Sequence, residues 1–232
     1  MVLPLYLAIT AAEMTGSHPL PPNFAYMACH FSQNTQGLSN YPKWLPDHSI
    51  LMLDDLNPMD GHDPERIFRE LSSLLSGFHI DALVLDFQRP DCQDTATLAA
   101  LLVQSLPCPV IVSEPYAQGL DCPVLLPPVP PDTPLEGWLS PWRSREIWLE
   151  TSQDALHLQL TESGCQRNFH PYPEKPEPLF SDESLHCHYQ IHTNGDSAEF
   201  LLFRTRSDWD ALAEKAAALG VTRCLGFWQD FP

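Results

Sequence analysis

Basic residues are scarce in this chain. It has 12 Lys and Arg against 30 Asp and Glu over 232 residues, a formal net charge of −18. That balance repels phosphate backbones and anionic lipid, so neither nucleic acid nor a membrane surface is expected as a partner. The short pairs Arg143-Ser144-Arg145 and Arg204-Thr205-Arg206 do not amount to a basic patch. No apolar run approaches the length of a membrane span. The segment Met1 to Thr10 has no basic stretch ahead of its apolar residues and meets Glu13 early, so it reads as a first strand rather than a secretory leader. The seven Cys are odd in number and irregularly spaced, and no C-x-x-C pair occurs. Reduced thiols in a cytoplasmic protein are the expectation, with no disulfide framework. Nothing in the sequence calls for a cofactor.

What is present is a chain of 44% hydrophobic residues, enough for a sizeable core, and 24 Pro gathered at 19–22, 107–134 and 171–178. These clusters predict extended connections where helices would otherwise stand.

The clearest strand is Asp81-Ala82-Leu83-Val84-Leu85-Asp86-Phe87-Gln88. Alternation turns Leu83, Leu85 and Phe87 one way and Val84, Asp86 and Gln88 the other. A helix pattern precedes it: Asp63 caps, Pro64 takes the first helical position, and Ile67, Leu71, Leu74, Leu75 and Phe78 form the stripe. Another follows from Asp94 to Leu106. Further strands are expected at 3–9, 24–31, 49–53, 110–112, 124–126, 146–150 and 224–230. Residues 156–161 also alternate. Asn194-Gly195 between 186–192 and 199–203 signals a hairpin. A last helix, capped by Ser207 or Asp208, ends at Gly220. The segments 11–23, 127–145 and 163–183 read as loop or irregular chain.

Strands interleaved with helices predict a parallel sheet. Seven or eight of them fit an α/β chain forming a (β/α)8 TIM barrel reduced in helices, with a small β-hairpin insertion before the last helix. The expectation is one domain over 1–232, with a β-rich insertion at 151–199. An open doubly wound sheet is the rival, and it does not predict the late hairpin, helix and terminal strand. In such folds ligands bind at the C-terminal ends of the strands, where Asp86 and Gln88 stand. Helix-poor flanks leave strand backs to cover, so a homodimer through that side is one further expectation.

Two segments together resemble family 18 glycoside hydrolases, the chitinase family. That family carries D-G-x-D-x-D-x-E on its fourth strand, and Asp81 to Gln88 lies on it without a gap. The second segment runs from the Pro-rich stretch near 171 to the end: Phe200 to Phe203, a helix from Ser207 to Leu219, Gly220, then Leu225-Gly226-Phe227-Trp228. The resemblance implies the barrel, and it places Trp228 as the aromatic floor under a sugar. It also implies a lost activity. The family's proton donor is the Glu at the last motif position, and here that residue is Gln88. A carboxamide has no acidic proton, and losing a general acid costs on the order of 10²–10⁴ in rate. The family's nucleophile is the substrate's own N-acetyl group, so no second carboxylate stands in. The middle Asp of the motif is Val84, and the sixth strand offers neither Tyr nor acid. The expectation is a catalytically inactive, glycoside-hydrolase-like barrel, a pseudoenzyme binding an amino-sugar-containing carbohydrate through Asp86, Gln88, Trp228 and Tyr116. The alternatives are a hydrolase with a relocated acid, at Glu114 or at Asp54 and Asp55, and an interaction scaffold whose barrel is plugged.

Other clusters have simpler readings. Asp54, Asp55, Asp60, His62 and Asp63 look like a hard-cation set, but a strand end followed by a helix start also gathers acids, and no calcium-loop spacing is present. His186, His188 and His192 read as a hairpin surface, with zinc as the other reading. Trp138, Trp142 and Trp148 are expected to pack the helix-poor side of the barrel. Cys29 and His30 are adjacent on one strand and so face opposite ways.

Overall fold

The structure is a computed structural model and describes residues 3–16, 19–172, 180–195 and 197–230. In chain order it runs β1 (Leu5–Ile9), α1 (Ala11–Met14), β2 (Phe24–Phe31), β3 (Leu38–Ser39), β4 (Ser49–Asp54), α2 (Pro64–Leu75), β5 (Ile80–Asp86), α3 (Gln93–Ser105), β6 (Val110–Ser113), α4 (Glu114–Ala117) and β7 (Val124–Leu126). It continues with α5 (Leu135–Leu139), β8 (Ile147–Thr151), β9 (Ala155–Thr161), β10 (Gly164–His170), β11 (Phe180–Asp182), β12 (Cys187–Asn194), β13 (Ser197–Phe203), α6 (Arg206–Ala218) and β14 (Val221–Phe227). The chain divides into two compact units, one of 4–127, 144–150 and 222–232, the other of 1–3, 128–143 and 151–221.

The first unit is the barrel. Strands β1, β2, β4, β5, β6, β7, β8 and β14 pair in parallel, and the β1–β2 pairing closes the ring. The inward residues are apolar through most of the depth: Tyr6, Ala8, Ala25, Ile50, Met52, Ala82, Val84, Ile111, Leu125, Trp148 and Leu225 form one buried cluster. The outward set is also apolar where helices cover it. Leu51, Leu53, Leu83, Leu85 and Val112 are fully buried, as are Ile67 and Leu71 of α2 and Leu98 and Leu102 of α3. Strands apolar on both faces are what a helix-wrapped parallel sheet requires. The start of α2 forms as its sequence dictates: Asp63 accepts from the Glu65 amide at 3.1 Å and Pro64 opens the first turn.

Strand β2 departs from simple alternation in its middle. Between Tyr26 and Cys29 the β2–β4 register slips, so that Ala25 pairs with Ile50 but Cys29 pairs with Leu53 and His30 with Asp54. The bulge exchanges the faces of the residues beyond it. Cys29 and Phe31 become outward and fully buried, and Phe31 stacks on Phe87 with ring centroids 5.8 Å apart.

The second unit holds a five-stranded antiparallel sheet in the order β10-β9-β13-β12-β11. The β12–β13 hairpin turns through Gly195 at φ 57°, while Asp196 of that turn lies outside the described residues. Helix α6 starts with a capping box between Thr205 and Asp208 and stops at Gly220, whose φ is 99°. The buried Arg204 donates to the carbonyls of Val129, Pro130, Leu185 and His186, and burial pulls its guanidinium down to about 10.

Several sequence expectations need correction. Trp148 fills the barrel interior, stacked on Tyr6 with centroids 5.8 Å apart, rather than packing an outer side. The last strand stops at Phe227, and Trp228 to Asp230 form a single helical turn. The expected hairpin is part of a larger sheet, because β10 and β11 occupy chain read as irregular. The last helix is capped by Thr205, not by Ser207 or Asp208. Short helices α1, α4 and α5 occupy segments without a long apolar stripe. The Pro-rich stretch near 171 lies largely outside the described residues.

Trp148→Ala removes a ring stacked on Tyr6 and covered by the Arg223 guanidinium 5.0 Å from its centroid. The expected loss is about 3–5 kcal/mol of unfolding free energy, read from urea denaturation. A loss under ~1 kcal/mol would contradict a packed barrel interior.

Candidate functional site

Polar side chains begin where the apolar interior ends, at the C-terminal ends of the barrel strands. A cavity of about 730 Å³ opens there, lined among others by His30, Asn40, Asp54, Asp86, Gln88 and Arg89. Each acid owes its place to strand alternation. Asp54 stands two residues above Met52 on β4, and Asp86 two above Val84 on β5, with Met52 and Val84 both in the interior cluster. The register pairs His30 with Asp54 and Asp54 with Asp86, so the three side chains stand in a row on one level of β2, β4 and β5.

The row is linked by hydrogen bonds at both ends. His30 Nδ1 lies 2.9 and 2.8 Å from the two oxygens of Asp54. Gln88 Nε2 donates to Asp86 Oδ1. Burial pushes the Asp86 carboxyl up from its ordinary value; the amide hydrogen bond pulls it back, and the charges of Asp54 and Asp55 push it up again. Asp54 is also raised, again chiefly by burial, against the pull of the Leu56 amide and His30.

Asp55 does a different job. Its side chain is buried, and its two oxygens accept from the Gln88 and Arg89 amides at 2.9 and 2.8 Å. The Arg89 guanidinium turns away from the carboxylates and donates to the carbonyls of Asp55 and Leu56, each at 2.8 Å. Asp55 therefore shapes the turn that carries Gln88. Tyr116 clamps the same turn from beyond: its hydroxyl donates to the Arg89 carbonyl and accepts from the Cys92 amide.

Of the residues singled out in the sequence, the cavity brings together Asp54, Asp55, Asp86 and Gln88. Tyr116, Glu114 and Trp228 are not among its lining residues. Glu114 is exposed at the start of α4, and Trp228 sits half-buried in the turn after β14. Asp63 is the cap of α2. His188 bonds Asp208 at 2.7 Å, and His186 precedes β12. Among the described residues, no group of three or more His, Cys, Asp or Glu is placed to hold a metal ion.

Two residues escaped the sequence reading. His30 was hidden by the bulge. Glu150 was legible: it follows Trp148 by two on β8 and so shares its inward face. Burial, with the Asp86 charge adding to it, pushes the Glu150 carboxyl up to about 8.

The first unit is thus a closed parallel barrel, short of helices, with carboxylates and an amide at its C-terminal mouth. No family model and no curated protein matches the sequence. Solved structures do match. The chain is similar to a glycoside hydrolase family 18 N-acetylglucosaminidase from Paenibacillus barengoltzii, with TM-score 0.66 and 9% identity over 97% of this chain and 94% of that one. It is similar to the spore cortex-lytic enzyme SleL of Bacillus cereus, with TM-score 0.62 and 8% identity over 99% of this chain and 71% of that one. It is also similar to a family 18 chitinase from Cycas revoluta, solved as a substituted variant in complex with (GlcNAc)4, with TM-score 0.58 and 11% identity over 97% and 94%. The chain thus has the fold of the family 18 glycoside hydrolases.

Two outcomes follow from the local electrostatics. Asp55→Ala leaves two backbone amides without acceptors and is expected to cost about 3 kcal/mol in urea denaturation, since hydrogen bonds to a charged group contribute ~1.5–3 kcal/mol each. Glu150 titrates higher folded than unfolded, so the native state holds the extra proton between its ordinary 4.5 and about 8. Wild-type stability should therefore fall relative to Glu150→Gln as pH rises through that window, and parallel denaturation curves would refute the assignment.

Proposed function

We propose that the barrel mouth binds an amino-sugar-containing oligosaccharide and that position 88 takes no part in hydrolysing it. The observation that carries this reading is Gln88 itself. It lines the cavity at the end of the fourth barrel strand, and its amide donates to Asp86. An amide in that place recognises hydroxyl and acetamido groups and has no acidic proton to deliver. The cavity volume of about 730 Å³ suits a small ligand, and its presence favours an open mouth over a plugged barrel. The Cycas revoluta structure, which carries (GlcNAc)4 on the same fold, supports the ligand class.

The carboxylates considered as relocated acids are otherwise engaged. Asp55 spends both oxygens on backbone amides. Asp54 is held by His30 and by the Leu56 amide at 3.0 Å. Glu114 stands apart from the cavity lining.

Calorimetry with (GlcNAc)4 is the test. Wild type should bind, and Gln88→Ala should bind about tenfold more weakly, the worth of one hydrogen bond. No binding, or equal binding by the variant, would remove the reading. Gln88→Glu sets a carboxyl against Asp86, which favours its protonated form. It is expected to raise turnover of (GlcNAc)4 by about tenfold or more over wild type, read as released shorter sugars.

A further inference from the structure

Position 88 has no proton to give, but the cavity contains another proton carrier. Plain alternation counted from Ala25 would turn His30 away from the barrel interior. The bulge after Tyr26 reverses that and sets His30 beside Asp54. The two side chains are 17% and 19% exposed, so the pair is sheltered yet open on the cavity side. A ring nitrogen against a carboxylate carries the hydrogen, so Nδ1 donates to Asp54 whether the ring is neutral or charged. Nε2 is then the ring nitrogen on the side away from Asp54. Asp54 is itself fixed by the Leu56 amide. A carboxylate that holds an imidazole by Nδ1 sets its tautomer and orientation for transfer at Nε2.

We infer that His30, oriented by Asp54, is the proton donor and acceptor of this site, acting on the glycosidic oxygen of a 2-acetamido sugar bound in the cavity that it and Asp86 both line. The inference rests on the amino-sugar reading above. His30 and Asp86 stand two strands apart, with Asp54 between them, and all three line the cavity. In the first step the bond from C1 to the glycosidic oxygen breaks. Its electron pair leaves with the oxygen, which takes the proton from His30 Nε2. The carbonyl oxygen of the same sugar's acetamido group bonds to C1, and the cation so formed faces the carboxylate of Asp86. Water then adds to C1, the carbonyl oxygen departs, and one proton of the water returns to Nε2. One water is consumed and one glycosidic bond becomes a hemiacetal and an alcohol. His30 is a catalytic residue in this scheme, and Asp54 a positioning residue.

The full chain is assayed on (GlcNAc)4 and on the 4-nitrophenyl glycoside of N,N′-diacetylchitobiose, with binding of (GlcNAc)4 measured alongside. Wild type is expected to turn over both. His30→Gln should lower kcat on (GlcNAc)4 by about 100-fold or more, with KM and binding little changed. On the aryl glycoside the loss in kcat/KM, which reads only the steps up to bond cleavage, should be under about tenfold, because a phenolate leaves without a proton and needs less of the general acid. A merely structural role would depress both substrates alike. Asp54→Asn keeps a partner for Nδ1 and should follow His30→Gln on (GlcNAc)4 by about tenfold or more. Glu114→Gln, exposed and apart from the cavity, should match wild type. Binding with no turnover overturns this inference and leaves the binding reading in place. So does turnover that His30→Gln and Asp54→Asn leave unchanged. If wild type does not bind (GlcNAc)4, both fall.

Discussion

Closing eight strands into a ring gives each of them one face toward the axis and one toward the helices, and every other feature of the barrel follows from that division. Each of the eight has a paired neighbour on both sides. The period-two rule therefore binds all eight strands at once. Apolar residues fill the axis from Tyr6 to Val84 and Trp148, and polar residues are admitted only where the axis reaches the mouth. This requirement concerns pattern and volume rather than identity. It is why a chain 9% identical to a family 18 N-acetylglucosaminidase superposes on it over 97% of its length.

The same rule decides how much could be read in advance. Strand β5 was legible because its alternation is regular from Ala82 to Asp86 and its apolar residues face both ways, and α2 because its cap, its proline and its stripe agree. Asp54, Asp86 and Gln88 followed from those strands. His30 did not. A bulge is one added residue in a ladder, set by the partner strand, and Phe24 to Phe31 taken alone reads as a regular strand. Asp55 was seen as an acid but not as a clamp, since its function lies in two amides more than thirty residues away. Strand β10 was missed for another reason. All its residues are exposed, so no buried face leaves a periodic mark on Gly164 to His170.

Charge at the mouth sets the remaining terms. Asp54, Asp86 and Glu150 are all raised chiefly by burial, and the Arg89 guanidinium that could have relieved them is committed to backbone carbonyls. A further acid at position 88 would join a site already short of positive charge. An amide instead adds a donor without adding charge, and Asp86 accepts from it. An amide at position 88 thus lowers the electrostatic cost of keeping Asp86 ionised.

Val84 sets the floor beneath Asp86. It shares the inward face with Asp86, two residues deeper, and is fully buried within the apolar cluster. An Asp there would lie in the interior with Met52 and Ile111 around it, and its burial would need a partner that the cluster does not hold. With Val84 in place Asp86 has a dry floor beneath it, and the hydrogen bond it accepts comes from Gln88 above. The carboxylate is thereby aimed one way, toward the cavity. On the other flank of the row the bulge aims His30 into the same space. The placement of the two groups follows from the alternation that sets Asp86 two residues above Val84 and from the residue added in β2.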